Sequence, residues 1–374
     1  MIPAILHTAL HAVMLMLMTA PSPSYPTIDS NPGTLHSAAP MGAARAAHTA
    51  TTLRDGRVLI VGGFAAASSS VGAEIFDPQS GRYVSAGPMG LVRHSHTATR
   101  LADGRVLIVG GYGTDRDPVT RAEVYDPATN RFTATGAMHV ARSGHVAVLL
   151  RDGTVLVVGG VGTGWSFLAS AERYDPTTGR FTTTGAMSVA RESHVAALLN
   201  NGRVVVIGGH QGRRANIKLF ASAEEYDPAS GQFSPVGDMA IRRHKHDAVL
   251  LADGAVLVTG GSDERDDRGA YRDAERYDPA SKRFTRVEAS MQHARYKHAG
   301  SSVLLPDGRV LIAGGATLAE VFDPAHSRFE VVSGSETLAG QFSAAALLPR
   351  GGVLITGGYG ADMGPQARAW RFVP

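Results

Sequence analysis

"HTATTLRDGRVLIVGG", residues 48–63, followed at 73–87 by "AEIFDPQSGRYVSAG", decides the fold. The stretch holds four short β-type runs: HTATTL, RVLIVGG, AEIFDP and RYVSAG. Asp55-Gly56 separates the first two, and Asp-Gly suits a type I′ hairpin in which both central residues take positive φ. A variable loop separates the second and third runs, and a short turn separates the third and fourth.

The unit recurs. An apolar run ending in Gly-Gly returns at Gly62, Gly110, Gly159, Gly208, Gly260, Gly314 and Gly357, at spacings of 48, 49, 49, 52, 54 and 43 residues. Asp103-Gly104, Asp152-Gly153, Asn201-Gly202, Asp253-Gly254 and Asp307-Gly308 precede later pairs as Asp55-Gly56 precedes the first. Four strands at a period near 50 residues describe one propeller blade, so seven Gly-Gly pairs predict seven blades in an all-β chain. The last unit stops at "AWRFVP" without an outer strand. "GTLHSAAPM" (33–41) aligns with "GRYVSAGPM" (81–89) and is expected to supply it, which closes the ring and removes free edges.

The Gly-Gly pairs, the aromatic-Asp-Pro steps and the Arg-x-x-His entries resemble the kelch-repeat family, to which galactose-oxidase central domains are similar, over nearly the whole chain after about residue 30. The resemblance implies a seven-bladed kelch-type β-propeller over 33–374 and leaves function open. Known enzymes of this fold include galactose-oxidase-like copper radical enzymes, sialic-acid epimerases and iron-dependent specifier proteins. The first group uses a Tyr–Cys cofactor, which a chain with no cysteine cannot form.

Composition narrows the rest. Zero cysteine also rules out disulfides, thiolate metal sites and a cysteine nucleophile. A net charge of +3 leaves no global nucleic-acid footprint. Residues 1–20 resemble a secretory signal, with a Pro/Ser-rich lead-in at 21–32, so a secreted or periplasmic, monomeric protein without a retained membrane span is expected; it is cytoplasmic if that segment is no signal.

Arg followed three residues later by His occurs six times, at Arg45/His48, Arg93/His96, Arg142/His145, Arg191/His194, Arg243/His246 and Arg295/His298. Six Glu residues open the third strands: Glu74, Glu123, Glu172, Glu224, Glu275 and Glu320. Blade seven has Gly340 in place of Arg, Ser343 in place of His, and by simple alignment Arg368 in place of Glu. Joint loss of Arg and Glu predicts paired contacts, because either charge buried alone is costly. The repeated His is expected to satisfy backbone groups.

Between Arg and His the blades differ. "IRRHKHDAVLL" (241–251) and the loops "HQGRRANIKLFAS" and "SDERDDRGAYRD" concentrate polar residues on blades four to six. Glu192, His210, His244, Lys245, His293, Tyr296 and Lys297 are the expected ligand-binding residues at the channel mouth, for an anionic or sugar-like ligand or a protein partner. A divalent metal on His94, Glu192, His210 and His244 is the metal alternative, with His94 approaching from across the ring. An enzyme is the other: a metal-dependent oxidase, lyase or isomerase, or a metal-free acid–base catalyst built on His244, Tyr296 and Lys297. "GGVGTGW" (159–165) lacks the following helix of a dinucleotide site. Trp165 and Phe167 are expected to pack, and "SDERDDRGAYRD" to be a solvated loop.

Overall fold

A computed structural model describes residues 31–65, 72–336, 338 and 340–374; the expected signal at 1–20 lies outside them. The described chain folds into seven four-stranded antiparallel sheets, each a blade. Blade one runs Thr49–Thr52, Val58–Val61, Ala73–Asp77 and Arg82–Ser85, from the channel outward. Each inner strand touches the inner strand of the next blade, and that of blade seven touches blade one's, so the ring is closed. No helix among the described residues is long and apolar enough to cross a membrane.

The second strands explain their own sequence. Val58–Val61 is fully buried because both faces are covered. Leu59 and Val61 pack with Val106 and Ile108 of blade two, while Val58 and Ile60 pack with Leu354 of blade seven. Two buried faces remove the apolar–polar alternation of a half-exposed strand. Each such side chain is worth roughly 1.5–3 kcal/mol of burial. The aromatic before Asp-Pro stacks on the aromatic directly opposite in the outer strand, as Tyr125 does on Phe132 with centroids 4.8 Å apart.

Blade seven takes Thr34–Ala38 as its outer strand, paired antiparallel with Ala369–Val373 from Thr34↔Val373 to Ala38↔Ala369. Leu35 adds to a core with Trp370 and Phe372.

Two local expectations are corrected. The Asp-Gly hairpins are not type I′. Gly56 has φ 86, but Asp55 is not left-handed, and Leu53 N–H donates to Arg57 O. That is a three-residue loop with a left-handed glycine, and Asp55 instead accepts the Arg57 N–H at 3.0 Å. In blade seven the residue at the Glu position is Trp370, not Arg368. Trp370 lies opposite Ile355 as Glu74 lies opposite Ile60.

Candidate functional site

The repeated Arg and Glu pair within each blade. Nη2 to carboxylate distances are 2.7 to 3.0 Å in blades two to six, and Arg45 meets Glu74 in blade one. Arg93 also donates to the carbonyls of Gly110 (3.0 Å) and Arg121 (2.8 Å), the two ends of its loop. Glu123 accepts the N–H of Gly90 in the preceding inter-blade connection, at 2.6 Å. One buried pair therefore ties the loop, the blade and the incoming chain together.

The repeated His binds hydroxyls where a partner exists, and three of them also reach a backbone group: His145 at Arg142, His194 at Val158 and His298 at Thr259. His96 meets Thr49 Oγ1 (3.1 Å), His145 meets Thr97 (3.0 Å), His48 meets Thr356 (2.8 Å) and His298 meets Thr259 (3.2 Å). Val146 and Val195 stand where His194 and His246 would find Thr, so neither of those rings has a hydroxyl partner. The glycine pair makes room: a Cβ on Gly110 would lie 2.7 Å from His145 Cε1, and one on Gly111 would lie 2.8 Å from His96 Cβ.

The residue before each His forms a collar. Ala47, Ser95, Gly144, Ser193, Lys245, Lys297 and Phe342 all have φ between 53 and 59. Six inter-blade hydrogen bonds of 2.7 to 3.3 Å link them: Ala47 to Phe342, Phe342 to Lys297, Lys297 to Lys245, Lys245 to Ser193, Gly144 to Ser95 and Ser95 to Ala47. Beside the collar, the residue two before His bridges to the residue after Gly-Gly. His94 faces Tyr112, Glu192 faces His210, His244 faces Ser262 and Gln341 faces Tyr359. This pairing brings loops and strand entries together at one end of the channel.

On blades four and five it builds a polar series. His210 Nδ1 lies 3.2 Å from His244 Nδ1, so one ring donates and the other accepts. His244 Nε2 faces Asp266 Oδ1 at 3.4 Å, and Lys245 Nζ donates to the same oxygen at 2.5 Å. A carboxylate at that end calls for N–H at His244 Nε2. His210 Nδ1 is then the donor, which leaves His210 Nε2 bare. It faces Glu192 Oε2 at 3.7 Å.

Burial pushes the Glu192 carboxyl up to about 7 against the pull of Arg213 and Lys245, which suits a protonated oxygen beside a bare ring nitrogen. Burial, then His244, pulls His210 down to about 3, and burial also lowers His244. The bond from His244 holds Asp266 well below the usual range. Glu192 fits above Gly144, where a Cβ would lie 2.7 Å from Oε1.

Blades six and seven add a second group. Lys297 Nζ donates to Gln341 Oε1 (3.2 Å), and Gln341 Nε2 donates to Tyr296 Oη (3.0 Å). Burial and then Lys245 lower the Lys297 ammonium. Gln341 and Tyr359 also line a cleft of about 630 Å³ with Ala316, Thr317, Met363 and Gln366. The cleft opens where blade six has its short loop: six residues separate Gly314 from Glu320, against twelve to sixteen in blades one to five.

The structure thus groups Glu192, His210, His244 and Lys245, and sets Lys297 and Tyr296 next to them. His293 does not join them; its ring lies 3.9 Å from Glu320, on a structural Arg–Glu pair. His94 does not cross the channel; it packs between Phe64 and Tyr112. Among the described residues no three His, Cys, Asp or Glu side chains converge as metal ligands, so the expected set His94, Glu192, His210 and His244 does not form.

Trp165 is 47% exposed rather than packed, with Arg213 stacked 3.1 Å from its centroid. Asp266, from the loop expected to be only solvated, completes the series. Sequence reasoning passed over Asp266, Arg213 and Gln341. The available signals were the −2/Gly-Gly cross-pairing and the outlying 43-residue spacing.

A family model described as the KLHDC2/KLHL20/DRC7 Kelch-repeats domain matches residues 93–315. No curated protein matches the sequence. A solved structure of a fungal alcohol oxidase of the AA5 family, in complex with copper, is similar in fold with a TM-score of 0.71 at 16% identity, covering 92% of this chain and 77% of the oxidase chain. With the blade count, the strand register and the family match in agreement, the chain belongs to the kelch-repeat family.

Proposed function

We propose that this propeller binds a small carboxylate-bearing ligand at the channel mouth of blades four to six. The observation that carries the reading is Lys297. Its ammonium is partly buried and held by a neutral amide, and no carboxylate lies within ion-pair distance of it among the described residues. Lys245 stands close behind it, bonded to Asp266. A half-desolvated cation beside a second one favours an incoming anion.

Thermal-shift and calorimetric titration with glucuronate, cinnamate and acetate test this. Binding that Lys297→Met weakens tenfold or more supports it; binding indifferent to Lys297→Met refutes it. The segment 1–20 supports export, which N-terminal sequencing of protein recovered outside the cytoplasm would check.

A second reading, metal-free acid–base catalysis, draws on the Glu192–His210–His244–Asp266 series. Solvent deuterium appearing in a bound acid, and lost in Glu192→Gln, would favour it. The copper of the fungal oxidase has no fitting donor set among the described residues here, so no step is drawn through a metal.

A further inference from the structure

The channel mouth has two unlike arcs. On blades four to six its side chains are polar or charged: Glu192, Arg213, His210, His244, Lys245 and Lys297. From blade seven through blade three aromatic rings recur, beside Gln341 and Ser143, and Tyr296 is an aromatic member of the charged arc. Phe342 meets Tyr359 (6.0 Å between centroids), Phe64 meets His94 (5.8 Å), His94 meets Tyr112 (5.2 Å) and Tyr112 meets Trp165 (6.2 Å). The collar follows the same division. Ala47, Ser95, Gly144 and Phe342 lie under the aromatic arc, while Ser193, Lys245 and Lys297 lie under the charged arc.

The arcs join at both ends. Arg213 stacks on Trp165 and acts electrostatically on Glu192, and Lys297 Nζ lies 5.5 Å from the Phe342 centroid. Trp165 and Phe342 are the exposed aromatic side chains among the described residues, at 47% and 36%. Phe342 shares its left-handed φ of 55 with the whole collar, so its exposure and not its backbone sets it apart. Exposed rings flanking a cationic arc favour a ligand with a matching division.

We infer that the ligand is an aromatic carboxylate, its acid group on Lys297 and its ring on the Phe342–Tyr359 pair beside that ammonium. This rests on the carboxylate-binding reading above and adds the ring. Aromatic rings prefer offset or edge-to-face neighbours, which this pair supplies.

The test is calorimetric titration of the full chain with cinnamate and with glucuronate, against Trp165→Ala, Phe342→Ala and Lys297→Met, with near-UV circular dichroism to check folding. Cinnamate is expected to bind at least tenfold tighter than glucuronate. Phe342→Ala should weaken cinnamate by about two- to tenfold, the range of one aromatic contact, and leave glucuronate unchanged, while Trp165→Ala, on blade three, should leave both unchanged. Lys297→Met should weaken both. Glucuronate binding as tightly as cinnamate, or cinnamate indifferent to Phe342→Ala, overturns the aromatic assignment while leaving carboxylate binding intact. Absence of binding, or binding insensitive to Lys297→Met, overturns both.

Discussion

Lowering the pH from 7 to 5.5 should destabilise this fold severely, and the buried histidines set the scale. His48, His96, His145, His194, His246 and His298 are all buried. Burial, then the arginine of the same blade, pulls His48 and His194 down to about 3 and the other four well below the ordinary value. In the unfolded chain each takes up a proton near pH 6.5. Their stabilisation is therefore whole above that pH and is lost progressively as pH falls from there toward the depressed folded values, because over that range only the unfolded chain binds those protons.

Two carboxyls oppose the trend. Burial raises Glu192 to about 7 and Asp247 to about 6, so each contributes stability at low pH that is lost as pH rises through its folded value. With His210, held down to about 3, added to the six, the balance at pH 5.5 is roughly five more protons on the unfolded chain, a slope of about 6 kcal/mol per pH unit. A domain with about 5–15 kcal/mol in total cannot lose that for long. Guanidinium unfolding followed by tryptophan fluorescence at pH 7, 6 and 5.5 measures it, and His145→Asn should reduce the slope by about one proton. A midpoint that stays level or rises as the pH falls would refute the reasoning.

Other expectations concern individual residues. Arg142→Met leaves Glu172 buried without its guanidinium and should cost about 3–5 kcal/mol, partly recovered by adding Glu172→Leu; chemical denaturation of both variants decides it. Asp247 accepts the N–H groups of Gly300 (3.1 Å), Ser301 (3.2 Å) and Ser302 (2.9 Å), bracing the two-residue insertion in blade six. Asp247→Ala should cost about 1–3 kcal/mol for each amide it leaves without a partner, and Asp247→Asn less, by the same assay. Deleting residues 1–38 removes the outer strand of blade seven and uncovers Phe372; size-exclusion chromatography should show more association or aggregation than for the full chain.

Much of the architecture is legible because each blade repeats it. The Gly-Gly steps mark where two blades approach too closely for a Cβ, and the apolar quartets mark strands covered on both faces. The joint loss of Arg and Glu in blade seven pointed to their pairing, and 34–38 appears as a missing outer strand from alignment alone. Alignment failed at Trp370, because a two-residue offset in a non-repeating unit is settled only by register. His293 looked like a neighbour of Tyr296 and Lys297, yet three or four residues along an extended entry segment carry it to Glu320.

By itself the sequence determined the strands, the blade, the number of blades and the closing strand, since these follow from patterns a few residues long, repeated at one period. The site depended on tertiary structure. His210, His244 and Asp266, or Lys297 and Gln341, come from different blades or from a loop with no regular pattern. Their meeting is set by how the blades rotate around the channel and how far each loop folds back over it. Packing between blades fixes both, and spacing along the chain does not encode them.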